Sequence, residues 1–382
     1  MKIVYINFFY SLENMTGVEK KLMDEAKYYK DNNIDIYLLN NKKDGFANHI
    51  AYKKITNYFS MPPWLSYLYV RLFTFKIIDK IVPLSEYDKI YLRYPLMDLS
   101  ALSFSKKYGD KLITQHHTKE LEEIQAYKIN TLFKMFQYVL EKCLAPYFFK
   151  PIDGLTAMSN EIISYEKKRL HFKKRTYRFS NGIDIHKFTM KVPPLFTDVF
   201  HVAIVASQYS PWHGLDRLLG SLKHYDGLEY KIHVHIIGEF SSKEKVLMDA
   251  CASNQLVTIH THGKLFGKQL DEVFDQTHMA CDSLAMYRLD MHESSTLKSK
   301  EYIARGIPYL YSAADEDMRE IEDYLYDVGN DDTLLDFKEI IKHYKKCDLT
   351  TMQKAMKECS KNILSWEIKV SKLAKFLSEE KI

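Results

Sequence analysis

Two carboxylates, Glu293 and Glu301, stand eight residues apart in the stretch His292-Glu-Ser-Ser-Thr-Leu-Lys-Ser-Lys-Glu-Tyr-Ile-Ala-Arg-Gly-Ile-Pro308. Ser294, Ser295 and Thr296 are natural N-cap residues, and Gly306 followed by Pro308 stops a helix. The spacing therefore predicts a helix over Thr296 to Arg305, with Glu293 in the loop before it and Glu301 inside it. Free N–H groups at such a helix start, the hydroxyls and Lys298 make an anion site suited to phosphate. A carboxylate at the mouth and another deeper can each hold sugar hydroxyls, so the chemistry that fits is recognition of a sugar joined to phosphate. Surface charges around a capped helix give the same spacing, and the residues alone do not separate the two.

Other residues of chemical interest lie outside this stretch. Gln115-His116-His117-Thr118 ends an expected strand, where open α/β sheets bind ligands. Two histidines there could ligate a metal, but no third ligand has a readable spacing, so a polar loop without metal is the expectation. Asp315-Glu316-Asp317 reads as capping charge away from the site. Residues 51–82 interleave Tyr52, Tyr58, Phe59, Trp64, Tyr67, Tyr69, Phe73 and Phe75 with Lys53, Lys54, Arg71, Lys76 and Lys80. That composition suits a helix at an anionic membrane surface, and equally a helix packed on the sheet with snorkelling lysines. A second basic run (Lys167, Lys168, Arg169, Lys173, Lys174, Arg175, Arg178) reads as a solvated face or as part of the same surface.

The elements that position these residues alternate as strand and helix. Lys2–Tyr10 reads as a buried first strand, Val18–Tyr29 as a helix and Ile34–Leu39 as the next strand, with Thr16-Gly17 at the helix start. Strands follow near Lys89–Arg93 and Lys111–Gln115, around a helix from Leu96 to Lys107, and another strand at Gly154–Met158. A second series starts at Phe200–Ala206 and continues with Lys231–Ile237, Leu256–His260, Met279–Leu284 and Tyr309–Tyr311. Val192-Pro193-Pro194 stiffens an expected linker near 189–198. A final helix is expected over about Leu349–Glu380. At 382 residues, 46% hydrophobic and 27% charged, the chain suits two α/β domains.

Net charge of +4 is too mild for a nucleic-acid partner. Five scattered cysteines without a Cys-x-x-Cys pair predict reduced thiols and a cytoplasmic protein. Asn7 breaks the apolar run after Lys2, so no signal peptide is expected, and no stretch is apolar enough to span a membrane.

The central stretch resembles the Glu-x7-Glu motif of retaining GT-B glycosyltransferases, with Glu301-Tyr-Ile-Ala-Arg-Gly-Ile-Pro308 following it in register. Ser180-Asn181-Gly182-Ile183-Asp184-x3-Phe188 resembles the signature before the hinge of the same family. The resemblance implies an α/β GT-B fold, two Rossmann-like domains facing across a cleft. Residues 1–190 correspond to the acceptor domain and 199–362 to the nucleotide-sugar domain, with a C-terminal helix (363–382) crossing back to the first.

It also implies roles. Glu293, His117 and Lys298 become the catalytic set, with Glu293 and His117 on the donor sugar. Glu301, Thr296, Leu297, His213, Gly238, Gly263 and Leu265 become donor- or nucleotide-binding positions, and Thr16-Gly17 the loop facing the phosphate and acceptor. The chain departs from the family where an Arg and a Lys usually neutralise the diphosphate, because Ser207 and His213 stand there. Lys298 is the first candidate to supply the missing charge, Arg217 and Lys264 the next, and His213 could donate a hydrogen bond, more strongly if protonated.

The implied function is retaining sugar transfer from a nucleotide-sugar to a glycan or lipid-linked oligosaccharide in bacterial surface-polysaccharide assembly, at or near the inner face of the plasma membrane. No cofactor is expected, with magnesium the alternative source of charge. A non-catalytic sugar- or lipid-head-group-binding protein on a decayed scaffold is the competing reading.

Overall fold

The computed structural model describes residues 1–9, 16–58, 62–126, 131–227, 229–251, 253–379. The chain forms two compact units, residues 1–180 with 366–382 and residues 181–365. Unit 1 is built on an eight-stranded sheet of β1 (Ile3–Phe8), β2 (Ile34–Asn40), β3 (Gly45–Ala47), β4 (Ile50–Lys54), β5 (Lys89–Arg93), β6 (Leu112–His116), β7 (Gly154–Ala157) and β8 (Arg175–Arg178). Their order is β3-β4-β2-β1-β5-β6-β7-β8, parallel except for the short β3–β4 hairpin. Buried on both faces, β1 reads as a near-continuous apolar run. Its Tyr5 ring lies 5.2 Å from Tyr29 and 4.8 Å from Tyr91. The connecting helices are α1 (Thr16–Asp31), α2 (Pro63–Leu72), α3 (Thr74–Ile81), α4 (Ala101–Tyr108), α5 (Glu120–Ala126), α6 (Thr131–Phe149) and α7 (Asn160–Leu170).

The 51–82 segment is not one amphipathic helix. Its first residues form β4, and the rest divides into α2 and α3. Helix α3 buries Phe75, Ile77, Ile78 and Ile81, and Asp98 accepts the Phe75 N–H at 3.1 Å. The apolar face is thus spent on the core of unit 1. Phe59 and the side chains of Tyr58 and Trp64 lie outside the described residues. The 167–178 run is likewise divided. Lys167 and Lys168 are exposed, whereas Arg169 pairs with Glu141 and Glu166, and Arg175 with Asp153 at 2.5 Å. Among the described residues no helix is long and apolar enough to cross a membrane.

Unit 2 carries a six-stranded parallel sheet, ordered β11-β10-β9-β12-β13-β14. The strands are β9 (Val199–Gln208), β10 (Lys231–Glu239), β11 (Val257–Gly263), β12 (Met279–Cys281), β13 (Tyr309–Tyr311) and β14 (Tyr326–Asp327). Helices α8 (Leu215–Lys223), α9 (Ser242–Cys251), α10 (Lys268–Phe274), α11 (Leu297–Arg305), α12 (Phe337–Lys346) and α13 (Leu349–Cys359) connect and cover it. After α13 and a π turn the chain re-enters unit 1 as α14 (Trp366–Ser378). Trp366 is buried there with Phe179, and the Lys21 ammonium lies over its ring. The expected single C-terminal helix is therefore broken. At the break Ser365 bridges Ile183, whose N–H donates to Leu364. The same contacts, with Asn181 bonded to Ser295 and Lys191 to Arg305, hold residues 181–191 in unit 2. The chain thus changes unit at Ser180–Asn181, ahead of the expected 189–198 linker.

One face of this sheet is finished in histidine. Alternation puts His201 of β9, His233 and His235 of β10, and His260 and His262 of β11 on one side. The His235 ring stacks on His260 at 4.8 Å and 12°, and its nitrogens lie 3.0 Å from His201 and 3.1 Å from His262. Burial, then the neighbouring imidazoles, pull the His235 pKa down to about 3 and that of His201 to about 4. His201 and His235 stay neutral when folded and take protons near pH 6.5 when unfolded, so their contribution is lost as pH falls from about 6.5 toward 4. The melting temperature of unit 2 should drop between pH 7 and pH 5, and His235→Leu should make that slope shallower. An unchanged slope in the variant would contradict this origin.

Candidate functional site

The predicted helix forms as α11. Thr296 is its N-cap, its hydroxyl accepting from the Ser299 N–H at 3.1 Å. At the other end Gly306 takes the left-handed conformation (φ 73°), which a side chain would resist. Leu297 opens the helix half-exposed. Strand β12 delivers Asp282 to this N-terminus, where it accepts from the Thr296 hydroxyl at 2.7 Å. Lys298 Nζ stands 3.6 Å from Asp282 Oδ1, in ion-pair range, and donates no hydrogen bond. Burial lowers the Lys298 pKa, with Asp282 opposing; burial raises that of Asp282, with Lys298 opposing. The Lys298 ammonium is thus held out of water at the start of α11, with the Asp282 carboxylate as its charge partner.

His213 stands in the same neighbourhood, at the end of a short turn, Pro211–His213, that precedes α8. Its Nδ1 accepts from the Ser210 N–H at 2.9 Å, which leaves the proton on Nε2 as a donor. Burial and then the Lys298 charge pull its pKa down to about 3. The idea of a protonated His213 is corrected: the residue offers a neutral N–H.

Arg217 is also removed from the phosphate candidates. Buried in α8, it donates to the carbonyls of Leu284, Val328, Gly329 and Thr333 at 2.6–2.8 Å. Arg217→Gln should destabilise unit 2 by about 3 kcal/mol, since it removes the bonds to four carbonyls and leaves the buried one of Leu284 unpaired. Chemical denaturation checks this, and wild-type stability with lost nucleotide binding would reverse the assignment. Lys264 is paired with Glu239 at 2.9 Å.

The two carboxylates of the motif are held differently. Glu301 Oε1 accepts both Nε and Nη2 of Arg305, at 2.9 and 2.8 Å, and Arg305 Nη1 reaches Asp271 at 2.5 Å. Glu293 is half-buried, bridges Ala314 and lines a cavity of about 150 Å³ with Tyr309, Tyr311, Asp315 and Arg319. Lys298 is not among the residues lining that cavity. Asp315-Glu316-Asp317 is therefore beside Glu293 and not remote. Asp315 does cap the following turn, accepting from Asp317 N at 3.1 Å, and both aspartates hold the buried Lys300 ammonium at 2.5 and 3.2 Å.

The loop positions are set by backbone. Gly238, next to last in β10, stands at φ 126°, where an added Cβ would lie 1.7 Å from the Ala206 carbonyl oxygen. Gly263 ends β11, and Leu265 packs its partly buried side chain on the α10–α11 core. Asn181 donates to the Ser295 carbonyl at 2.5 Å, tying the Asn-Gly turn to the loop between Glu293 and α11.

In unit 1, His117 lines a cavity of about 440 Å³ with Phe9, Arg71, Arg93, Tyr94 and Thr118. Its Nε2 is buried without a hydrogen-bond partner, and burial with the Arg93 charge holds its pKa well below the usual value. His116 instead turns into the interior, fully buried. Thr16 and Gly17 begin α1, and their side-chain surroundings lie outside the described residues.

Asp282 and Asp271 went unnoticed in the sequence, and Asn181 and Arg305 were read as parts of motifs without the contacts they make. Of these only Arg305, four residues after Glu301, carries a local signal, the i,i+4 ion pair.

No protein-family model matches the chain, and no curated protein matches it in sequence. Solved structures do match in shape. A glycosyltransferase from Rickettsia africae superposes with a TM-score of 0.66 at 16% identity, covering 100% of this chain and 99% of that one. The Anabaena protein HepE, solved in complex with UDP, gives 0.65 at 16% identity, covering 99% and 100%. WaaG, a glycosyltransferase involved in lipopolysaccharide biosynthesis, gives 0.62 at 10% identity, covering 98% and 99%. At these identities what is shared is the fold, and over its whole length this chain has the GT-B fold.

Proposed function

We propose that the protein is a retaining glycosyltransferase. It moves a sugar from a nucleoside-diphosphate sugar to a glycan or lipid-linked acceptor in bacterial surface-polysaccharide assembly. The observation that carries this reading is the buried Lys298 ammonium, without a hydrogen-bond acceptor, at the N-terminus of α11. The fold, shared with two glycosyltransferases and with a protein solved in complex with UDP, supports it.

In this reading Lys298, the first N–H groups of α11 and His213 Nε2–H take the diphosphate, standing in for the family's Arg and Lys. As the glycosidic bond to phosphate breaks, negative charge grows on the leaving oxygen, and donors already in place stabilise it without reorganising. Glu301, anchored through Oε1 by Arg305, takes the ribose hydroxyls. Glu293 and His117 take hydroxyls of the transferred sugar. Gly238, Gly263 and Leu265 frame the nucleoside, and Thr16-Gly17 belongs to the phosphate and acceptor loop. Attack comes from the face the leaving group departs, with the departing phosphate accepting the acceptor proton. No metal is required in this reading, since the Lys298 ammonium and the N–H donors named above carry the charge.

Transfer assays with a panel of nucleotide-sugars test this reading. Glu293→Gln keeps the shape and loses charge-assisted bonds to sugar hydroxyls, so transfer should fall by at least about 10- to 100-fold with the fold intact. Full activity in that variant would remove Glu293 from the site. The neutral His213, with Asp282 beside the Lys298 cation, favours a second reading: a sugar-binding protein that has lost transfer. Nucleotide-sugar binding without turnover would select it.

A further inference from the structure

Unit 1 holds a buried group of ionisable side chains that the proposed reaction does not use. His116 closes β6, Glu120 opens α5 one turn later, Glu141 comes from α6, and Glu166 and Arg169 come from α7. His116, Glu141 and Glu166 are 0% exposed and Glu120 is 4% exposed. His116 Nδ1 lies 2.6 Å from Glu120 Oε1 and 4.0 Å from Glu166 Oε2, and one ligand atom from each of the three residues lies within 4.8 Å of the others.

The charges in this group do not balance. Arg169 donates to Glu141 at 2.9 Å and to Glu166 at 2.6 Å. Glu141 is satisfied further by the Tyr94 hydroxyl and the Met97 N–H. One guanidinium then faces three carboxylates, and the excess of two negative charges sits in a dry interior. Glu120 is the least provided for: its Oε2 is buried, accepts no hydrogen bond and lies 3.7 Å from Arg169 Nη2.

We propose that His116 Nδ1 and the carboxylates of Glu120 and Glu166 form a site for one divalent transition-metal cation of the Mn2+, Fe2+ or Zn2+ class. One divalent charge equals the excess, and one imidazole with two carboxylates is a donor set these ions accept. The ring is already oriented for it. His116 Nε2 lies 3.0 Å from the Thr114 hydroxyl, an outer partner that holds the ring with Nδ1 toward Glu120, and a metal would take the place of the proton now shared between Nδ1 and Glu120 Oε1. Glu120 lines the cavity of about 440 Å³ that also holds His117, which supplies an entry path. The ion ties β6 to α5 and α7 and fixes the 116–120 turn on which His117 is carried. The competing arrangement is protons in place of the metal, one of them shared between Glu120 and Glu166; burial raises both carboxyls, Glu120 to about 7.

The test is thermal unfolding of chelator-stripped protein titrated with MnCl2 and ZnCl2 at pH 7, in wild type, Glu120→Gln and Glu161→Gln. Glu161, paired with Lys119 outside the three ligands, is the control. At a hundredfold excess over Kd the wild type and control should gain about 5 °C. Glu120→Gln, isosteric and without a ligating charge, should gain nothing. Co2+ added to stripped wild type should develop a visible d–d band that Glu120→Gln lacks, a reading that does not depend on unfolding. No metal-dependent gain in wild type, or an equal gain in Glu120→Gln, overturns the proposal. Protons then carry the excess charge.

Discussion

Lys298→Ala is expected to lower sugar transfer by about 100- to 1,000-fold while leaving the protein folded. The size follows from what is removed: a cation already out of water, with no hydrogen-bond acceptor of its own, at the point where leaving-group charge grows. Such a donor acts more strongly than a solvated surface lysine, because little water competes for it. The fold should survive for a local reason. Asp282 loses its cation but keeps the Thr296 hydroxyl at 2.7 Å, and burial has already raised its pKa, so it can take a proton instead of standing as a bare buried charge. Steady-state kinetics with the preferred nucleotide-sugar, beside a denaturation curve, separates the two effects. A variant that keeps wild-type kcat/KM removes Lys298 from the diphosphate. One that fails to fold makes it a structural residue.

The largest stability effect is expected from Gly238→Ala. An ideal Cβ at this position would lie 1.7 Å from the Ala206 carbonyl oxygen and 2.9 Å from its carbon, both backbone atoms. The backbone is at φ 126°, a region an alanine resists even where space is free. Neither cost can be relieved by rotating a side chain, so β9 and β10 must separate locally or the β10 end must change path. A loss above about 4 kcal/mol is expected. Urea denaturation of the variant measures it. A loss under 1 kcal/mol would show that the end of β10 relaxes easily, and with it the loop assigned to the nucleoside.

What was legible in the sequence was local. The bounds of α11 could be read because its cap, Thr296, and its stop, Gly306 before Pro308, act over a few residues. The parallel strands could be read because strands buried on both faces are continuous apolar runs, as at β1 and β5. The motif resemblance implied two Rossmann-like units with a returning helix, and the sheets and α14 have that form.

Less legible was whatever depends on a distant partner. No spacing indicates that Arg217 spends itself on four carbonyls, that Asp282 waits beside Lys298, or that Lys300 is held by Asp315 and Asp317. The 51–82 segment stayed open between two readings for a related reason. Aromatic and basic residues look alike at a membrane and on a packed helix, and only the Asp98 bond and the burial of Phe75 decide for α3. Two signals could have been read and were not. The His-x-His pairs at 233–235 and 260–262 place four imidazoles on one sheet face, and Glu120 stands four residues after His116.

The central claim is a nucleoside-diphosphate site centred on Lys298. Its most direct test is a thermal-shift screen of wild type and Lys298→Ala against UDP, GDP, ADP, dTDP and their sugars, with and without magnesium. The account predicts that one nucleotide series raises the wild-type melting temperature without needing magnesium, and that Lys298→Ala loses most of that rise. A wild type indifferent to every nucleotide, or a variant stabilised as much as wild type, would contradict it.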